Sequence, residues 1–97
     1  MNNNMTCEKL KSVMNNPSSI LVDVRTQGEF NQSHIQGAVH IPLHELPGNV
    51  ERLRHKTAYL YCRSGARSGQ AEAFLQGHGI NSVNIGGITS FIGCLSY

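Results

Sequence analysis

The segment Ala58-Tyr59-Leu60-Tyr61-Cys62-Arg63-Ser64-Gly65-Ala66-Arg67-Ser68 passes from a short apolar run into a glycine-containing turn that carries two arginines. Residues 58–62 have the length and aromatic content of a buried strand. Residues 68–77 then place Ala71, Phe74 and Leu75 on one helical face and end in Gly77-His78-Gly79, where a glycine stop is expected. The order is strand, loop, helix. In open α/β sheets ligands bind at the carboxyl ends of strands, where a loop entering a helix presents unpaired backbone N–H groups and a favourable dipole. Cys62 stands at that junction. If residues 63–67 curl around its sulfur, their amides stabilise a thiolate, Arg63 and Arg67 add positive charge, and the thiol pKa falls. Gly65 and Ala66 are small enough for the backbone to close, while Ser64 and Ser68 offer hydroxyl donors, Ser68 also as a helix cap. The competing reading of Cys62 is an inert buried thiol. Two guanidinium groups and a glycine turn beside it weigh against that reading.

Outward from this segment, apolar periodicity alternates between strand and helix character, the pattern of an α/β domain with a largely parallel sheet. Residues 6–15 read as a helix capped by Thr6 and stopped at Asn16-Pro17. Residues 19–25 contain Ile20-Leu21-Val22-Asp23-Val24, a strand of the buried parallel kind. Thr26 and Glu29 have capping-box spacing and predict a short helix from Gln27. Residues 38–41 predict a strand ended by Pro42, residues 46–54 a helix, and residues 82–85 a last strand before Gly86-Gly87. The terminal stretch holds Ile88, Phe91, Ile92 and Leu95.

Ninety-seven residues fit a single domain spanning 1–97, with residues 1–5 expected to be flexible. The chain is 39% hydrophobic and 14% charged, and its net charge of +2 comes from scattered basic residues, so no nucleic-acid partner is expected. No run approaches the roughly 18 to 20 apolar residues of a membrane span, and Met1-Asn2-Asn3-Asn4-Met5 lacks the basic start and apolar centre of a secretory signal. The chain reads as cytoplasmic, although a mature exported form without its signal would read the same way. Cys7, Cys62 and Cys94 form an odd set with no C-x-x-C pair, which argues against a disulfide framework and a zinc cage. Cys7 and Cys94 are simplest as small apolar residues, with a resolving role the lesser reading. His34, His40, His44, His55 and His78 show no ligand spacing with a carboxylate cluster, so no metal is expected, and His34 is expected to bond nearby backbone.

Four motifs in order resemble the rhodanese homology domain family. Leu21-Val22-Asp23-Val24-Arg25 with Glu29-Phe30 is similar to its first signature, and His34-Ile35-Gln36-Gly37-Ala38-Val39-His40-Ile41-Pro42 to its second. Cys62-Arg63-Ser64-Gly65-Ala66-Arg67-Ser68 resembles its active-site loop, and Gly86-Gly87-Ile88 its closing motif. The resemblance implies a rhodanese-like α/β fold: a central parallel sheet of about five strands flanked by helices. It also implies a sulfurtransferase in which Cys62 takes a sulfane sulfur from a donor such as thiosulfate or a low-molecular-weight persulfide, holds it as a persulfide, and passes it to a thiol or cyanide. A sulfur-relay protein is a further possible partner, and the covalent persulfide makes a separate cofactor unnecessary. Residues 63–68 would bind the substrate, Arg67 ahead of Arg63 as guide for a small dianion, and Asp23 and Arg25 would form a supporting ion pair. The chain departs from the family pattern in lacking a tryptophan after the closing glycines, which leaves the final helix in question.

Two other classes stay open at this level. Cysteine-based phosphatases and arsenate reductases cradle an oxyanion in a C-x-x-x-x-x-R loop, but here arginine comes at the sixth position, Arg67, and Ser68 at the seventh. A rhodanese-like module that docks a partner without turnover is the other class, and the presence of Cys62 counts against it.

Overall fold

A computed structural model describes residues 5–96. The first four residues of the expected flexible start therefore lie outside the described residues.

Helix α1, Cys7–Met14, begins where Thr6 accepts the Lys9 backbone N–H, as its cap position predicts. Strand β1, Ser19–Asp23, follows, and α2, Gln27–Gln32, opens with the complete Thr26/Glu29 capping box. Two short strands come next, β2, His34–Ile35, and β3, Val39–His40. The expected helix over residues 46–54 is instead a 3-10 segment, Leu43–Asn49, leading into a single turn, α3, Val50–Leu53. Pro47 and Gly48 within it explain the tighter winding, since proline donates no N–H to an α-helical ladder. Strand β4, Thr57–Cys62, then feeds helix α4, Ala66–Gly77, and strand β5, Asn81–Gly87. A second 3-10 segment, Ile88–Cys94, stands where the final helix was in question, and β6, Leu95–Ser96, closes the described chain.

The main sheet is parallel with the order β3-β1-β4-β5. It has four strands, not the five expected, because β2 leaves it to pair antiparallel with β6 in a separate two-stranded ribbon. Alternation along β4 sorts its side chains onto two faces. Ala58, Leu60 and Cys62 pack with Val22, Leu46, Leu53, Ala71 and Leu75 on one side. Tyr61 packs on the other with Leu10, Leu21, Ile35, Ile85 and Phe91. Both faces are covered by helical segments, which is why the strands read as apolar runs.

One expectation is overturned outright. Cys7 and Cys94, read as separate small apolar residues in a chain without a disulfide framework, are joined by a disulfide, with Cα atoms 5.9 Å apart. It links α1 to the second 3-10 segment over 87 positions of sequence, a closure worth about 4.6 kcal/mol in the chain-entropy view. Cys62 is the free cysteine.

Candidate functional site

The parallel strands deliver their carboxyl ends to one edge of the sheet, and Cys62 is the last residue of β4 there. Residues 63–65 turn the chain into α4. Gly65 caps that helix at φ +99°, a left-handed conformation that favours glycine, and a Cβ there would sit 3.4 Å from the Gly86 Cα. Helix α4 therefore starts at Ala66, and Ser68 is inside its first turn rather than at its cap. The close approach continues at Gly87, where a Cβ would meet the Arg63 carbonyl oxygen at 2.5 Å. Glycine at 87 thus lets β5 lie against the loop.

Within the turn, the Cys62 Sγ accepts hydrogen bonds from the Gly65 amide at 3.0 Å, the Ser68 amide at 3.5 Å and the Ser68 hydroxyl at 3.4 Å. Burial pushes the Cys62 thiol up, but the Ser68 hydroxyl and the amides of Ser68, Ser64 and Gly65 together outweigh it and hold the thiol below its ordinary value. A sulfur at the start of a twelve-residue helix also faces the positive end of the helix dipole. The site is built to carry negative charge on sulfur. Cys62 is nevertheless 0% exposed.

The arginines divide. Arg67 donates to both Glu29 carboxylate oxygens, at 2.7 and 3.0 Å, so its charge is already matched. Arg63 is exposed and, among the described residues, has no ion-pair partner. The Arg67 bond is the main force holding the Glu29 carboxyl at about 2 against an ordinary value of 4.5; burial opposes it and the Thr26 amide and hydroxyl assist. A carboxyl depressed on folding stabilises the fold above pH 4.5 and loses that contribution as pH falls towards 2. Between these pH values the parent is expected to lose more stability than Glu29→Gln, as thermal melts at stepped pH will read.

Asp23, at the end of β1, is wholly buried and bound to Arg25, whose Nη2 lies 2.8 Å from Oδ2 and whose Nε and backbone N–H also reach the carboxylate. The same Nη2 donates to the Ser33 carbonyl at 2.6 Å, and the guanidinium lies 5.7 Å over the Tyr61 ring. The Tyr61 phenol accepts the Ile35 amide at 3.0 Å. Burial first, then the hydrogen bond to Asp23, push its pKa above the ordinary range. This network locks β1, β2 and β4 together behind Cys62. Beside the loop a cleft of about 580 Å³ opens between the turns that follow β1 and β3, with Arg25 and Arg67 in its wall facing Pro42 and Leu43. His34 Nδ1 bonds the Phe30 carbonyl at 3.0 Å, matching the backbone role expected of it.

The family model for the rhodanese-like domain matches residues 6–94, nearly the whole described chain. The chain belongs to the rhodanese-like domain family. It is 37% identical over 71 residues to the thiosulfate sulfurtransferase PspE of Escherichia coli K12, an alignment covering 69% of this chain and 68% of that protein. A sulfurtransferase of Allochromatium vinosum is 43% identical over 63 residues, 62% of this chain, which span 59% of that relative's own length. A solved Escherichia coli rhodanese with anions superposes with a TM-score of 0.73 at 30% identity, covering 80% of this chain and 96% of that one. The rhodanese-like domain here also contains a residue that no motif in the sequence points to, Asn84, whose side chain bonds both Ser68 and Gly65.

Proposed function

We propose that the protein is a sulfurtransferase that carries a sulfane sulfur on Cys62. The observation that supports this most directly is the convergence of the Gly65 amide and the Ser68 amide and hydroxyl on the Cys62 Sγ at a helix start. The Cys62 thiolate attacks the outer sulfur of thiosulfate, the S–S bond breaks with its electron pair leaving on sulfite, and Cys62 is left as a persulfide. A thiolate or cyanide then attacks that outer sulfur and departs with it, returning the Cys62 thiolate. The loop donors hold the negative charge at each stage. Arg63 guides the incoming anion, since Arg67 is engaged by Glu29, and the cleft between Arg67 and Leu43 receives the body of a larger persulfide or thiol. Asp23 and Arg25 support the site from behind. The short loop and the paired Arg67 count against a phosphatase.

Intact-protein mass spectrometry after incubation with thiosulfate tests the proposal. The expected result is a gain of one sulfur atom that cyanide removes. No gain, together with hydrolysis of an aryl phosphate, would move the assignment to a phosphatase; neither activity, with capture of one partner, would leave a docking module.

Among the described residues no helix is long and apolar enough to cross a membrane. The sequence alone pointed to the cytoplasm, but the Cys7–Cys94 disulfide favours an oxidising compartment, since reducing ones keep such thiols apart. Alkylating free thiols in intact cells before lysis is expected to modify one cysteine per chain; modification of all three would restore the cytoplasmic assignment.

A further inference from the structure

Asn84 touches the Cys62 loop at two points. Its Oδ1 accepts the Ser68 hydroxyl at 2.7 Å and the Gly86 amide at 2.9 Å, and its Nδ2 donates to the Gly65 carbonyl at 3.0 Å. The Gly65 amide and the Ser68 amide and hydroxyl have their donor atoms 3.0 to 3.5 Å from the Cys62 Sγ. One side chain therefore holds both residues.

An irregularity in β5 makes this possible. Leu60 pairs with Asn84 but Tyr61 pairs with Gly86, so Ile85 is an extra residue and the strand bulges directly after Asn84. Gly86 takes φ +97° to accommodate it, which brings its amide back to the Asn84 Oδ1. From α4, the Glu72 carboxylate accepts the Asn84 backbone N–H at 2.9 Å. Asn84 is thus fixed at its backbone and at both ends of its amide.

The Ser68 hydroxyl has one proton and two acceptors, Asn84 Oδ1 at 2.7 Å and Cys62 Sγ at 3.4 Å. While Cys62 is a neutral thiol, the shorter bond to Asn84 takes the proton. An anionic sulfur is the stronger acceptor, so the hydroxyl then turns from Asn84 towards it, and Asn84 goes on holding the loop through its bonds to Gly65 and Gly86.

We propose that Asn84 is a positioning residue of the Cys62 site, holding the Ser68 hydroxyl while Cys62 is a thiol and the Gly65 backbone in both states, so that the donors converge on the sulfur when it becomes anionic. This rests on the reading of Cys62 as the reacting group, and its test is independent of sulfur transfer. Thiolate formation is followed by ultraviolet absorbance against pH, with Cys62→Ser subtracted. Asn84→Ala frees the Ser68 proton but releases the Gly65 backbone, and the second effect is expected to win, raising the midpoint by about one pH unit, a roughly tenfold loss of thiolate at any fixed pH well below it. Ser68→Ala is expected to raise it as well, and the double variant by less than the sum of the two, because Asn84 acts partly through Ser68. In the unmutated protein, the side-chain amide NMR signals of Asn84 should shift with the same midpoint as Cys62, a readout that requires no variant to fold. A folded Asn84→Ala protein with an unchanged or lower midpoint, or Asn84 signals that stay flat through the Cys62 titration, would overturn the proposal. Shifts as expected in a protein that takes up no sulfur would keep this role and remove the sulfurtransferase reading. Sulfur uptake with unshifted midpoints would do the reverse.

Discussion

Cys62→Ser is expected to end sulfur uptake from thiosulfate, leaving the protein at its unmodified mass and reducing transfer to cyanide by at least about a thousandfold. The substitution exchanges one atom. A serine hydroxyl is essentially unionised near neutral pH and is a poor nucleophile towards sulfur, so the donors from Gly65 and Ser68 have no anion to hold. No other thiol replaces it, because Cys7 and Cys94 are bonded to each other. The fold should survive: the new hydroxyl is buried but lies within reach of the Ser68 group, and the expected change in stability is about 1 kcal/mol. A thermal melt alongside the mass spectrum separates lost chemistry from lost structure. Full sulfur uptake by a folded Cys62→Ser protein would remove Cys62 from the mechanism.

Asp23→Ala is expected to carry the largest stability penalty, about 3 to 5 kcal/mol by denaturant titration. Asp23 is 0% exposed and Arg25 5%, so deleting the carboxylate leaves a nearly buried guanidinium at the cleft wall, held by the Ser33 carbonyl, the Tyr61 ring and the more distant Glu29 charge. The Tyr61 phenol loses its Asp23 partner in the same step. Because β4 runs from Tyr61 directly into Cys62, sulfur transfer should fall with stability. The double variant Asp23→Leu with Arg25→Met removes both charges and is expected to cost less than Asp23→Ala alone, since no uncompensated charge remains. A double variant as unstable as the sum of the singles would mean that geometry, not charge balance, dominates there.

The features legible in the sequence are those set within a few residues. Apolar runs and caps located α1, β1, α2, β4 and α4 to within two residues, because strand period, the Thr6 cap and the Thr26/Glu29 box act over one turn. Cys62 and its loop are legible for the same reason: a thiol, a turn of small residues and a helix follow one another along the chain. Of the helix expected over residues 46–54, only Val50–Leu53 is α-helical; residues 46–49 belong to a 3-10 segment, because apolar spacing alone does not distinguish the two when proline interrupts the ladder.

What the sequence by itself determined is the strand, turn and helix around Cys62, and with them the kind of sulfur chemistry the loop suits. Only the tertiary structure decided that Glu29 claims Arg67 across 38 positions, that Asn84 reaches Ser68 across 16, and that Cys7 bonds Cys94 across 87. It also decided that β2 leaves the main sheet for β6. The reason is physical: caps and turns are chosen by neighbours along the chain, whereas these pairings depend on which strand ends a parallel sheet brings side by side, and no local spacing encodes that.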